Sequence, residues 1–198
     1  ELEAAATTLG ALRRGGAGKL AAAVAEVLPE LGLPGAEFEV RVRPLDEVGP
    51  HGGEAVEFLV APNQGFDAMP LARIASGGEM SRVMLALKSI LAGVDRVPVL
   101  VFDEIDSGIG GVGATSVARK RAEVATRHQV FVVTHLPQLA SRADAHLLVE
   151  KELTGARTAT RVRALEGEAR VEEVARMLGG DPESATSRKH ARELLGAR

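Results

Sequence analysis

Two adjacent carboxylates, Asp103 and Glu104, end the apolar run of the string VLVFDEIDSG. In open parallel sheets, ligands sit beyond the carboxyl ends of the strands. An Asp at such a place can hold Mg²⁺, usually through water. A Glu one residue later points elsewhere and can take a proton from an attacking water, help worth roughly 10²–10⁴ in rate. The same string also describes an acidic loop after a strand. A second string, ASGGEMSR, makes Ser76 the cap of a helix whose first turn carries Gly77 and Gly78. A helix start attracts anions through unpaired N–H groups and the macrodipole, and glycine lets a phosphate approach without a Cβ in the way. Ser76 and Glu79 are equally spaced as an ordinary capping box. A third string, VFVVTHLPQL, puts His135 just past an apolar strand, where an imidazole could donate a hydrogen bond to a terminal phosphate or serve as a structural residue. His51, His128, His146 and His190 are read as structural.

The phosphate cradle that such carboxylates need is missing. GGAGKL, Gly15 to Leu20, is the one tempting loop. The pattern requires Gly five residues before Gly18, where Arg13 stands, and Ser or Thr after Lys19, where Leu20 stands; no strand precedes it.

Positioning these residues requires a core, and the composition supports one. The chain has 198 residues, 45% apolar and 26% charged, ordinary for a globular domain. There is no Cys, hence no disulfide framework and no thiolate metal site. Aromatics are 3%, without Trp or Tyr, which excludes a base-stacking platform for single strands. The formal charge of −3 is not the footprint of a self-sufficient nucleic-acid binder. Arg119, Lys120 and Arg121, and Arg157, Arg161 and Arg163, read as a solvated helix face and strand face. No apolar run is long enough to span a bilayer. The chain begins at Glu1, not Met, as a piece of something longer would.

Periodicity supplies the elements. Residues 1–31 read as helix, interrupted at Gly15, Gly16 and Gly18. Residues 37–43 and 54–61 alternate, with Phe38, Val40 and Val42 sharing one face and Val56, Phe58 and Val60 another, around the loop GPHGG: an antiparallel pair with one buried face. From Ser76 a helix puts Met80, Val83, Met84, Leu87 and Leu91 on one side. Residues 97–102 and 129–134 are buried parallel strands, separated by a helix with Ala114, Val117, Ala118 and Ala125 inward. A short helix over 136–143, a strand over 146–150, a turn at Gly155 and an antiparallel strand over 157–165 follow. Two helices close the chain, 171–178 ended by Gly179 and 182–195 capped by Asp181.

The three motifs occur in the order phosphate-contacting helix, metal-and-base strand, sensor histidine, each about one βαβ unit apart. This resembles the second half of an ABC-type ATPase head: Ser76, Gly77, Gly78 and Glu79 match the signature motif, Val99 to Glu104 the Walker B strand and catalytic Glu, Asp106 the D-loop, and His135 the switch histidine. DEID in place of DEP resembles the SMC-like branch, not membrane transporters. IASGGEMSRVMLALKSIL, VFDEIDSGIGG, VVTHLPQLASRADAHLLVEK, EVARMLGG and APNQG resemble the bacterial RecN family of DNA repair proteins, over residues 37 to 195.

The resemblance implies an α/β fold: the C-terminal lobe of an ABC/SMC-type P-loop ATPase head, with a mostly parallel sheet flanked by helices, antiparallel strands, and a coiled-coil remnant over residues 1–31 ahead of the head half at 37–198. It implies ATP and Mg²⁺ as cofactors, with Asp103 on the ion, Glu104 and His135 catalytic, and Ser76, Gly77, Gly78 and Glu79 contacting nucleotide in trans. It implies as partners the N-terminal Walker A half of the same protein, a second head in a homodimer, and double-stranded DNA at breaks under recombinational repair, in the bacterial cytoplasm at the nucleoid. A transporter subunit, another SMC or RecF-like head, and a non-catalytic module on the same fold are the competing readings; the isolated chain is expected to be inactive.

Overall fold

Helix α1, Leu2–Val27, runs unbroken through Gly15, Gly16 and Gly18. The expected interruption does not form. Interior glycine costs up to about 1 kcal/mol against Ala, but packing of α1 along strands β1 (Glu37–Gly49) and β2 (Gly52–Ala61) overrides propensity. GGAGKL therefore lies inside a helix and is no phosphate loop. The computed structural model describes residues 1–154 and 157–196, and its contacts divide the chain into two compact units, Glu1–Val133 and Thr134–Arg198.

In the first unit β1 and β2 pair antiparallel with Phe38 opposite Val60, Val40 opposite Phe58 and Val42 opposite Val56, the register the alternation predicts. Gly10 of α1 marks the closest approach of helix to hairpin: a Cβ there would fall on the Glu54 carboxylate. That carboxylate is 9% exposed and accepts from Arg14 at 3.1 Å and Arg13 at 3.5 Å. Arg13 also donates to the His51 carbonyl at 2.8 Å. A short strand β3, Met69–Pro70, extends the sheet from β2.

Helix α2, Gly77–Leu91, is buried through Val83, Leu85, Ala86 and Leu87, a wider stripe than one face, because it packs against both α1 and α3, Gly111–Ala125. In α3 Ala114, Val117 and Ala118 are buried as expected, and Val124 takes the inward place expected of Ala125. Strands β4, Val99–Phe102, and β5, Gln129–Val132, pair in parallel. Their entrances are stitched by side chains: Lys88 holds Asp95 at 2.5 Å, Asp95 accepts from the Val97 amide at 3.0 Å, and buried His128 bonds the Val97 carbonyl at 2.7 Å. The Lys88 contact holds the Asp95 carboxyl below its usual pKa.

A mostly parallel sheet is not what forms. Among the described residues only β4 and β5 pair in parallel, and the other strand pairs are antiparallel. Leu100 and Phe102 are buried on one face of the parallel pair, whereas Val99, Val101, Phe131 and Val133 are exposed on the other. The pair is apolar on both faces, as a central parallel strand must be, but this chain covers only one.

The second unit contains a short helix α4, Pro137–Ala140, the antiparallel hairpin β6, His146–Thr154, and β7, Arg157–Leu165, then α5, Gly167–Met177, and α6, Ala185–Gly196. The expected turn at Gly155 lies outside the described residues. Val171, Val174, Ala175 and Ala191 form its core with Leu178, Leu194 and Leu195 against them. Gly179, at φ 74, ends α5 as expected. Asp181 instead caps a turn, accepting from the Glu183 amide at 2.9 Å, so α6 starts a few residues later than expected. Arg161 pairs with Glu152, Arg163 with Glu150, and in the first unit Arg119 pairs with Glu30 and Lys120 with Glu123; the side chain of Arg157 lies outside the described residues.

Two stability predictions follow from these contacts. Gly16→Ala, with open space around its Cβ, should raise the urea midpoint, worth about 0.5–1 kcal/mol of helix propensity. Gly10→Ala should lower the midpoint, through a loss of stability of about 1 kcal/mol despite the same propensity gain, because Glu54 must leave its arginines. The second concerns His146, whose Nδ1 is buried without a hydrogen-bond partner. Burial, helped by Arg170 and opposed by Glu173, holds its pKa below the ordinary value. The unfolded chain then binds the proton more readily, so stability is full above the ordinary His pKa of about 6.5 and falls as pH drops from there toward the folded value. Melting temperature measured across that window should fall with acidification, and His146→Phe should flatten the slope.

Candidate functional site

Ser76 is extended, at φ −90 and ψ 115, and its Oγ accepts the Glu79 amide at 3.3 Å, closing the helix start as a cap. The Met80 amide donates to the Ser76 carbonyl at 3.0 Å. The amides of Gly77 and Gly78 precede the first intrahelical bonds.

Beside them runs the loop that follows β4. A Cβ on Gly77 would collide with the Glu104 carboxylate. A Cβ on Gly78 would lie 2.8 Å from Ser107 Cβ and 3.0 Å from the Glu104 carbonyl oxygen. Gly78 is thus demanded by this chain's own acid loop, a requirement independent of any phosphate, whereas a side chain at Gly77 would only push the Glu104 carboxylate aside.

The loop is shaped by hydrogen bonds from α2. Ser81 Oγ donates to the Asp103 carbonyl at 2.7 Å. Arg82 Nη1 donates to the Ser107 carbonyl at 2.6 Å and reaches the Ile105 carbonyl at 3.4 Å. Arg82 is 4% exposed, and burial pushes its pKa below the ordinary value while Glu79 opposes the shift. Within the loop, Asp103 Oδ1 accepts the Glu104 amide at 2.9 Å, and the Ser107 amide donates to the Glu104 carbonyl at 2.9 Å. Ile105 and Asp106 are buried. Glu104 sits at φ 55, the only positive φ among the described non-glycine residues. A left-handed residue with a Cβ costs about 1–2 kcal/mol, so the surroundings must hold it there.

Seven of the expected site residues are therefore drawn together in one unit: Ser76, Gly77, Gly78 and Glu79 at the helix start, and Asp103, Glu104 and Asp106 in the loop beside it. His135 belongs to the second unit, exposed on the turn into α4, where Thr134 Oγ1 accepts the Leu136 amide at 2.9 Å. Ser81, Arg82 and Ser107 complete the cluster and were missed in the sequence, although they lie within ASGGEMSR and VLVFDEIDSG. A Ser and an Arg in a helix's second turn ordinarily face solvent, and only the tertiary fold brings the loop over them. Among the described residues no three His, Asp or Glu gather as a metal site. Asp103, with one carboxylate oxygen already on an amide, suits an ion that keeps most of its water and takes other ligands from phosphate, as Mg²⁺ does.

No family model matches the sequence. Over 177 residues the chain is 51% identical to the DNA repair protein RecN of Treponema pallidum, spanning 86% of this chain and 31% of that protein. Over 207 residues it is 45% identical to the DNA repair protein RecN of Streptomyces coelicolor, spanning 98% of this chain and 36% of that protein. Among solved structures it is similar to an Smc head domain with a coiled coil and joint from Pyrococcus yayanosii, at TM-score 0.54 and 22% identity, over 79% of this chain and 28% of that one. The fold is thus α/β and of the Smc head-domain type. Within that class, the chain belongs to the RecN family. It spans about a third of the length of those relatives.

Arg82→Ala should lower stability by about 2–3 kcal/mol in urea unfolding, since it leaves buried carbonyls without a charged donor. Amide exchange at Ser107 should rise in the same variant, and unchanged exchange would show that Arg82 does not hold the loop.

Proposed function

We propose that this chain is the C-terminal lobe of an ATP-hydrolysing head that works in recombinational repair of DNA double-strand breaks. The observation that carries the proposal is the meeting of a glycine-flanked helix start with the Asp103 and Glu104 pair in a chain whose one candidate phosphate loop lies inside a helix. The phosphate loop would come from the N-terminal Walker A half of the same protein. The bare apolar face of β4 and β5, with Val101 66% exposed, supports such a covering partner, because parallel sheets are buried on both faces.

Bound ATP with Mg²⁺ would supply the phosphoryl group and neutralise its charge, leaving the protein to position and stabilise. Asp103 would hold the ion through water. Glu104 would orient the attacking water and take its proton. Ser76, Gly77, Gly78 and Glu79 would face the nucleotide of an opposing head, so that a homodimer completes each site. Asp106, buried in the loop, would couple the two sites through the loop's shape. His135 would donate a hydrogen bond to the terminal phosphate. The relatives' name, DNA repair protein, supports double-stranded DNA as the object of head closure. The bacterial cytoplasm, at the nucleoid, is where that DNA lies; among the described residues no helix is long and apolar enough to cross a membrane.

Turnover should be absent from this chain alone, present when it is mixed with the N-terminal half, and reduced by about 100-fold or more in the mixture by Glu104→Gln. Hydrolysis by the chain alone that this substitution abolishes would overturn the split head. A mixture indifferent to the substitution would remove Glu104 from the base role.

A further inference from the structure

We infer that Ser81 is a positioning residue for Glu104, holding the Asp103–Glu104 peptide in the orientation that keeps Glu104 left-handed. The inference rests on the head reading for its consequence in turnover, but not for its geometry. The peptide joining the two acids is fixed at both ends. Its carbonyl accepts Ser81 Oγ at 2.7 Å, and its N–H donates to Asp103 Oδ1 at 2.9 Å. Glu104 is at φ 55. The relaxation open to such a residue is a flip of the preceding peptide, which swings ψ of Asp103 and φ of Glu104 together and carries Glu104 to the extended, unstrained side of the map. A flip turns the carbonyl away from α2 and breaks the Ser81 bond. The downstream bonds, from Arg82 to the Ile105 and Ser107 carbonyls and from the Ser107 amide to the Glu104 carbonyl, anchor the loop beyond that peptide and do not themselves oppose its rotation.

Ser81 thus decides where the Glu104 carboxylate points. In the held orientation the carboxylate lies against Gly77 at the start of α2. The serine is on the second turn of the same helix, so the helix start and the acid are set by one rigid element. Any shift of α2 moves the carbonyl clamp with it. A residue that only filled space would leave the peptide free to turn.

The test compares Ser81→Ala and Ser81→Thr. Alanine favours the helix, so loss of fold is not expected, and threonine retains the hydroxyl. In this chain alone, the three-bond coupling between the Glu104 amide and α protons should rise toward the extended value in Ser81→Ala and stay at the wild-type value in Ser81→Thr. In the mixture with the N-terminal half, Ser81→Ala should lower kcat by about tenfold or more with KM for ATP unchanged, and threonine should restore it. A wild-type coupling in Ser81→Ala overturns the inference, as does a threonine variant that behaves like alanine, or a KM that rises in step with the fall in kcat. If the wild-type mixture shows no turnover, the head reading fails, and the coupling alone decides the role of Ser81.

Discussion

A guanidinium buried under a loop must be hydrogen-bonded, and the acid loop is arranged around that demand. Arg82 projects from α2 into the space beneath residues 105–107, where its Nη1 donates to main-chain carbonyls while its Nε is buried without a partner. Among the described residues no carboxylate forms an ion pair with it, and Glu79 opposes the pKa shift that burial causes. Backbone oxygens do this work only if the loop curls back over the helix. That curl brings Ser107 and the Glu104 carbonyl onto the first turn of α2, and glycine is then the residue that fits at position 78. The same curl requires a sharp change of direction just after β4, and Glu104 takes it in the left-handed region. The fold of the loop over the helix answers to this buried cation, while Ser76 closes the helix start and Ser81 holds the peptide before the strained acid.

The helix start, the β4 strand and the antiparallel register of β1 and β2 were legible because each is written in local pattern: a cap and a 3.6 period, a β-branched run, and an alternation whose faces match across a hairpin. Gly179 was legible as a helix stop for the same reason. What failed was what depends on distant partners. Glycines at 15, 16 and 18 look like a break until one sees that α1 is supported along a hairpin, and Gly10, the one that matters, is invisible without Glu54. Asp181 has the right chemistry for a cap but uses it on a turn ahead of the helix. Ser81 and Arg82 carry no local signal, since their roles exist only once the loop lies over them. The proportion of parallel sheet was overstated because apolar runs tell of burial on two faces but not of which chain does the burying.

The charges of the second unit tell a similar story of local neutrality. Arg188 and Arg192 of α6 meet Glu172 and Glu168 of α5, and Arg161 and Arg163 of β7 meet Glu152 and Glu150 of β6. Exposed pairs of this kind add little stability, about 0–1 kcal/mol each. Their larger effect is on the field. A cation that faces a carboxylate is less available to displace counterions from a phosphate backbone, so pairs of this kind weaken the salt-dependent attraction on which DNA binding runs. The basic clusters that stand out in the sequence are therefore features of helix and hairpin packing.

The parallel pair β4 and β5 is unfinished in a way that the acid loop is not. Its outer face carries exposed valines and a phenylalanine, and a sheet of this type gains stability only when that face is closed. The bonds that shape the loop after β4, by contrast, come from α2 of the same unit. Covering the open face therefore has no need to rebuild the acid loop, and the loop can reach its strained geometry before any partner arrives. Such an order separates two tasks: the chain by itself sets the direction of its acids against its own helix start, and completion of the sheet adds whatever must be held in front of them.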